Sequence, residues 1–262
     1  MPKTRIAIIG GSGLEKLFEK PGQLIIKTPY GAAPPISIGK VGGKQVAILP
    51  RHGPNHSVPP HRINYRASIW GLHTLGVIRI LATNAVGAIN RDFKLGQIVV
   101  PHDFVDFTKA RSTTFYDDAP VTHVDFSQAY CPQMRKQLLR AARKTGLQVR
   151  NRAVMVCTEG PRLETPAEIE MFRKMGCDIV GMTSFPEVVL AREVEMCYAS
   201  VCYVSNMAAG LGKRLSTHDV SQVSKQIMPK LEKLLIETIG GLPIERKEAC
   251  NCARALRSAR FE

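Results

Sequence analysis

Aromatic residues are scarce in this sequence, at 6% of 262 residues with a single tryptophan. No apolar run reaches membrane-spanning length and there is no signal-peptide core, so no membrane partner is expected and a cytoplasmic location is. Internal repeats and low-complexity linkers are absent, and no composition shift marks a boundary. Residues 1–262 are therefore read as one domain, with a basic tail at about 245–262. Acidic residues are few beside basic ones, 22 against 36, which leaves a net charge of +14. Such an excess fits an anionic partner or simply a solvated basic surface. No aromatic ladder accompanies the basic stretch "ARALRSARF" (253–261), so a nucleic-acid partner is not expected.

Cysteine is present in an odd number, seven: Cys131, Cys157, Cys177, Cys197, Cys202, Cys250 and Cys252. That argues against a secreted disulfide scaffold. Cys250-Asn251-Cys252 is a close pair, but no second pair stands at zinc-ribbon spacing, and no structural zinc or other metal is expected. Inert thiols remain possible, as do disulfides of the kind found in a thermophile's cytosol.

What is present is alternation. β-rich apolar runs recur at 6–10, 45–50, 78–87, 97–107, 154–160, 178–182 and 201–206. Continuous runs of this kind read as strands buried on both faces. Helical stretches lie between them at 61–76, 131–146, 165–176 and 216–240. Gly146 is placed to cap the second, Thr165-Pro166 with Glu168 forms a capping box at the third, and Pro229 is placed to kink the fourth. Strand and helix alternating from end to end indicate an α/β fold.

Two loops suggest anion binding. "IAIIGGSGLEKL" (6–17) passes from a strand through a glycine turn into a helical stretch. Its third dinucleotide glycine would fall at Lys16 and is missing, and no G-K-[ST] follows. Backbone N–H groups and the Ser12 hydroxyl can hold an anion there without the equipment for NAD or ATP. "RHGPNHSVPPHRINYRA" (51–67) places Arg51 and His52 at the carboxyl end of a strand, where ligands of α/β sheets collect. A planar guanidinium suits phosphate oxygens, and His52 is read as an added donor. His56 and His61 lack carboxylates at metal-binding spacing.

These stretches, with "TPYG" (28–31), "TNAVGAIN" (83–90), "TEGPRLET" (158–165), "GMTSFPEVVLARE" (181–193) and "VSNMAAG" (204–210), occur in order and together resemble the trimeric purine nucleoside phosphorylase and methylthioadenosine phosphorylase family. Within it the chain is most similar to the methylthioinosine or 6-oxopurine phosphorylases. The resemblance implies one α/β domain around a mixed, barrel-like sheet flanked by helices. It also implies phosphate-dependent cleavage of a purine nucleoside to base and (5-methylthio)ribose 1-phosphate, a purine salvage reaction. No metal or organic cofactor would be needed.

The same resemblance assigns residues. Ser12, Arg51, His52, Asn84, Ala85 and Thr183 match phosphate-binding positions, with 84–85 contributing a backbone N–H. Met182 matches the residue against the ribose, and Leu163, Met207 and Ala208 fall in substrate-binding segments. Asn206, Glu164 and His52 are the expected catalytic groups. Glu187, in "FPE", is read as structural. Asn206 and Glu164 also decide the base: an amide can donate to O6, and a carboxylate can accept N1–H of a 6-oxopurine. Thr217 aligns with the position facing the 5′ group but matches neither the hydroxyl-binding nor the methylthio-binding pattern, so that group stays open. Leu163 departs from the family's Phe. A homotrimer or hexamer is implied, with a neighbouring subunit closing each site. From heat-stable relatives a Cys131–Cys202 disulfide is expected, and Cys250–Cys252 is a possible second. The alternatives are a methylthioadenosine phosphorylase and, outside the class, a Rossmann-type nucleotide-binding protein.

Overall fold

The computed structural model describes residues 4–10, 14–17, 22–212, 216–246 and 250–260. The strands are β1 (Ile6–Gly10), β2 (Gly22–Leu24), β3 (Lys27–Thr28), β4 (Gly31–Ala32), β5 (Ile36–Val41), β6 (Lys44–Pro50), β7 (Arg79–Ala88), β8 (Ile98–Val99), β9 (Asp103–Phe107), β10 (Val149–Arg150), β11 (Val154–Thr158), β12 (Ile179–Gly181) and β13 (Cys197–Met207). The α-helices are α1 (Tyr65–Thr74), α2 (Pro132–Lys144), α3 (Pro166–Lys174), α4 (Ser184–Glu193) and α5 (Thr217–Gly241).

Local chemistry explains most boundaries. Asn64 caps α1 by accepting from the Ala67 N–H at 2.9 Å, so the helix starts after the proline-rich turn rather than at 61. At α3 the capping box forms as expected, with Thr165 and Glu168 each serving the other's backbone N–H. Gly146 follows α2 at φ +71°, the left-handed conformation of a helix stop. The run 97–107 divides into β8 and β9 around Pro101, which has no N–H to give a ladder. Pro229 lies inside α5, which continues to Gly241. Helix α4 was not foreseen as a helix. Nearly all its residues are buried, so it carries no apolar stripe of helical period.

Eleven strands form one mixed sheet in the order β10-β8-β13-β7-β1-β6-β5-β2, and β12, β11 and β9 branch from β7. The expected mixed α/β sheet is present, but among the described residues it branches and does not close into a barrel. Side chains alternate strictly along β1: Ile6 and Ile8 enter a core with Met134 and Leu138 of α2 and Leu231 and Leu234 of α5. Ala7 and Ile9 enter a second core with Ile69 and Leu72 of α1 and Val188 and Leu190 of α4. The sheet is thus covered on both faces, which is why its strands read as unbroken apolar runs.

One detail of register positions the site. Parallel β1 pairs with Arg79–Ala82 of β7, and antiparallel β12 pairs with Gly87 and Ala88. Between them, Thr83–Val86 has a ladder partner on the β13 side alone. Ala85 is consequently exposed in the middle of a strand whose other residues are buried.

The expected Cys131–Cys202 disulfide is not formed. Cys202 packs in a separate core cluster with its sulfur 3.3 Å from Ser200 Oγ, whereas Cys131 lies beside Cys197 and Cys250. All seven cysteines are free thiols, Cys250 and Cys252 included. No helix among the described residues is long and apolar enough to cross a membrane.

Thr165→Ala removes one side of the α3 capping box. It should lower stability by about 1 kcal/mol, read as a lower urea midpoint at unchanged slope.

Candidate active site

The gap in the sheet is lined from three elements. Arg51 follows β6, Asn84 and Ala85 lie on β7, and Thr183 is the N-cap of α4. Arg51 is buried, at 3% exposure, and its partners are ordered. Nε and Nη2 donate to the two oxygens of Glu187 at 2.5 and 3.0 Å, and Nη1 donates to Thr83 O at 2.8 Å. Three of five guanidinium hydrogens are thereby used, leaving one on each Nη for a ligand. Burial opposes the Arg51 charge, but the Glu187 carboxylate outweighs it and holds the pKa above its ordinary value. Glu187 is itself 1% exposed and also accepts from Tyr198 Oη at 2.7 Å. It stands in the first turn of α4, where the helix dipole favours a carboxylate.

Asn84 does not aim its side chain into the gap. Its Nδ2 donates to Ser200 Oγ at 2.7 Å, and its Oδ1 accepts from Thr183 Oγ1 at 2.9 Å. The Thr183 hydroxyl is therefore spent on Asn84, and it makes no cap to α4.

His52 differs from its expected part. Nδ1 is 2.8 Å from Val58 O, and a carbonyl can only accept, so Nδ1 carries a proton. Burial, with help from Arg51 and His56, lowers the imidazole pKa from 6.5 to about 4 despite the Val58 bond. The neutral ring then presents Nε2 as an acceptor, not as a donor. His56 stacks on it with ring centroids 4.1 Å apart.

A second group of predicted residues sits along β11–α3 and the ends of β12 and β13. Glu164 Oε1 accepts from Thr158 Oγ1 at 2.7 Å. Met182 Sδ lies where a Cβ on Gly160 would come within 2.7 Å, and Gly160 has φ +65°, so the Met182 position depends on glycine twice over. Asn206 follows a β-bulge at Ser205. Its Oδ1 accepts from Ser205 Oγ at 2.8 Å and its Nδ2 donates to Met207 O at 2.9 Å. Gly87 makes room for that amide, since a Cβ there would lie 3.1 Å from Nδ2. Met207 is partly buried, Ala208 is 2% exposed, and Leu163 is 51% exposed. Ser12 lies outside the described residues, as does the side chain of Thr217.

Arg111 ties the second group together and was missed. Its side chain is buried, and it donates to the carbonyls of Met182 and Phe185 (both 2.7 Å), Glu159 (2.8 Å) and Thr158 (3.1 Å). In the sequence it is one arginine in a polar loop, without any motif to mark it. A cavity of about 540 Å³ lies elsewhere, lined by loop residues 113–123 with Phe185, Val189 and Glu193, and takes in none of the predicted site residues.

The arrangement can hold an anion beside Arg51 and Ala85, and can offer an amide and a carboxylate to a flat polar ring. A family model described as the phosphorylase superfamily matches residues 5–240. A probable S-methyl-5′-thioinosine phosphorylase of Methanopyrus kandleri is 50% identical, over 98% of this chain and 99% of its own. The 6-oxopurine nucleoside phosphorylase of Pyrococcus furiosus is 48% identical, over 97% of this chain and 98% of its own. Among solved structures, a methylthioadenosine phosphorylase from an antarctic soil metagenomic library superposes with a TM-score of 0.94 at 33% identity, covering 100% of this chain and 93% of its own.

Two outcomes are expected. Glu187→Ala leaves a buried guanidinium unpaired and should cost about 3–5 kcal/mol of stability by denaturant titration. The pH profile carries His52: below 6.5 the unfolded ring takes a proton that the folded ring refuses until about 4. Stability should therefore fall as pH drops through that window, and His52→Asn should flatten that part of the curve.

Proposed function

This chain belongs to the phosphorylase superfamily, and on that premise we propose that it cleaves 6-oxopurine nucleosides with inorganic phosphate, releasing the base and ribose 1-phosphate or its 5-methylthio analogue. The observation that carries the base preference is the amide at 206. Its Nδ2 donates to Met207 O, which a carboxylate in the same place could not do. The remaining amide hydrogen serves O6 or N7 of the purine. Glu164, with one oxygen held by Thr158, accepts N1–H through the other. Adenine N1 has no hydrogen to give, so a 6-aminopurine leaves this carboxylate unpaired, at about 1–3 kcal/mol.

Phosphate binds at the gap in the sheet. Its oxygens take the two free Nη hydrogens of Arg51 and the backbone N–H at Ala85, with Thr183 beside them, and Ser12, outside the described residues, is a further phosphate ligand on the strength of the family motif. Neutral His52 accepts a hydrogen bond from the phosphate hydroxyl at Nε2, which orients the dianion while the proton stays on the phosphate, and an unprotonated phosphate oxygen attacks. The bond from C1′ to the purine loosens toward an oxocarbenium ion while charge moves onto the base, where Asn206 meets it. Met182 packs along the sugar. Positioning and fixed dipoles supply the rate, and no cofactor is required beyond phosphate as co-substrate.

The reading extends to a cytoplasmic homotrimer or hexamer. Leu163, half exposed in the single chain, is an apolar wall that a neighbouring subunit would cover. A second reading, 5′-methylthioadenosine cleavage, draws on the structural likeness to a methylthioadenosine phosphorylase.

Cleavage of inosine, guanosine, methylthioinosine and methylthioadenosine, each with and without phosphate, separates the two. Turnover should require phosphate and favour the 6-oxopurines; preference for methylthioadenosine overturns the assignment. Asn206→Asp should shift the kcat/KM ratio toward 6-amino substrates by about tenfold to a hundredfold. It should also lower the overall rate, because Met207 O would then face a carboxylate.

A further inference from the structure

Four cysteines from distant parts of the chain meet beneath the sheet. Cys131 immediately precedes α2, Cys197 is the first residue of β13, and Cys250 and Cys252 belong to the C-terminal tail. All four are buried, and their sulfurs all lie within 4.8 Å of one another. Cys197 and Cys250 are 3.4 Å apart, Cys131 and Cys250 3.9 Å. Sulfurs bound tetrahedrally to one zinc at about 2.3 Å stand about 3.8 Å from each other. We propose that Cys131, Cys197, Cys250 and Cys252 bind a single structural Zn²⁺ as a tetrathiolate. The proposal is independent of the phosphorylase reading.

Charge supports it. Four thiolates around Zn²⁺ leave a net charge of −2, which a buried site must offset. Two buried guanidinium groups are in place. Arg79 is 2% exposed and stands directly opposite Cys197 in the β7–β13 ladder. Arg192 is 7% exposed and lines, with Cys250 and Cys252, a cavity of about 40 Å³ against the cluster. Both arginines also order the segments that bear the ligands. Arg79 donates to the carbonyls of Ile244 and Glu245, leading into the tail, and Arg192 to those of Gln128 and Ala129, just before Cys131.

The site explains how the tail is held. Beyond Cys252 the tail buries little, yet it reaches the loop before α2, where His123 N–H donates to Ala259 O at 2.7 Å and Thr122 bridges Arg260. A metal bound by Cys250 and Cys252 fastens that strip to the starts of α2 and β13. Zinc binding should therefore appear as folding stability.

The test is metal analysis of the purified chain, together with intact mass of denatured, unreduced protein. One zinc per chain and seven free thiols are expected. Loading the reduced, metal-free protein with Co²⁺ should give the intense visible absorption of a tetrahedral cobalt thiolate. Chelation should lower Tm. Cys252→Ser should lose the metal and the associated rise in Tm, while Cys202→Ser, outside the cluster, keeps one zinc. A mass short of the hydrogens lost in disulfides among these four residues overturns the proposal. So does reduced wild-type protein that takes up neither Zn²⁺ nor Co²⁺.

Discussion

The buried pair of Arg51 and Glu187 is the interaction on which the site depends. An unpaired guanidinium at this depth would cost several kcal/mol, so the carboxylate is what allows Arg51 to remain charged there. The pair also joins the end of β6 to the start of α4, and through Tyr198 and Thr83 it reaches β13 and β7. One electrostatic contact thereby sets the relative position of four elements. Because the pair is neutral overall, an anion placed in this gap would be attracted by directed hydrogens and backbone dipoles more than by net positive charge. The chain's charge of +14 is then a property of its surface and has little to do with this site.

The sheet supplies the remaining constraint. Where β1 stops and β12 has not begun, β7 keeps its pairing to β13 and offers its other edge to the gap. An interrupted ladder normally leaves unsatisfied backbone groups, and an anion is one means of satisfying them. Asn84, turned inward to bridge Ser200 and Thr183, stiffens the same stretch. In the second group of candidate residues, Arg111 plays the corresponding part. By donating to four carbonyls it fastens the loop before α3 to the turn into α4, so Glu164 and Met182 share one support.

The order of strands and helices was readable because it rests on local patterns. Unbroken apolar runs mark strands covered on both faces, and Thr165-Pro166 with Glu168 marks a helix start wherever it occurs. Elements without such a pattern were not readable. Helix α4 is buried on every side and has no period to detect, and Pro101 divides a run that composition alone presents as continuous. Candidate site residues such as Arg51, Glu164 and Asn206 were picked out through their motifs. Arg111 carries no motif, and its role arises wholly from carbonyls brought to it by other parts of the chain.

By itself the sequence determined the fold class, the family and which residue types make up the candidate site, since these depend on near neighbours in the chain. Tertiary structure alone decided what those residues are free to do. It made Glu187 the counter-charge of Arg51, and it spent Nδ1 of His52 on Val58 so that Nε2 became an acceptor. It also withdrew Cys131 from Cys202 and set it among Cys197, Cys250 and Cys252. The physical reason is common to all three. A hydrogen bond, an ion pair or a ligand shell is fixed by distances of a few ångströms between residues far apart in the chain, and spacing along the sequence does not record such distances.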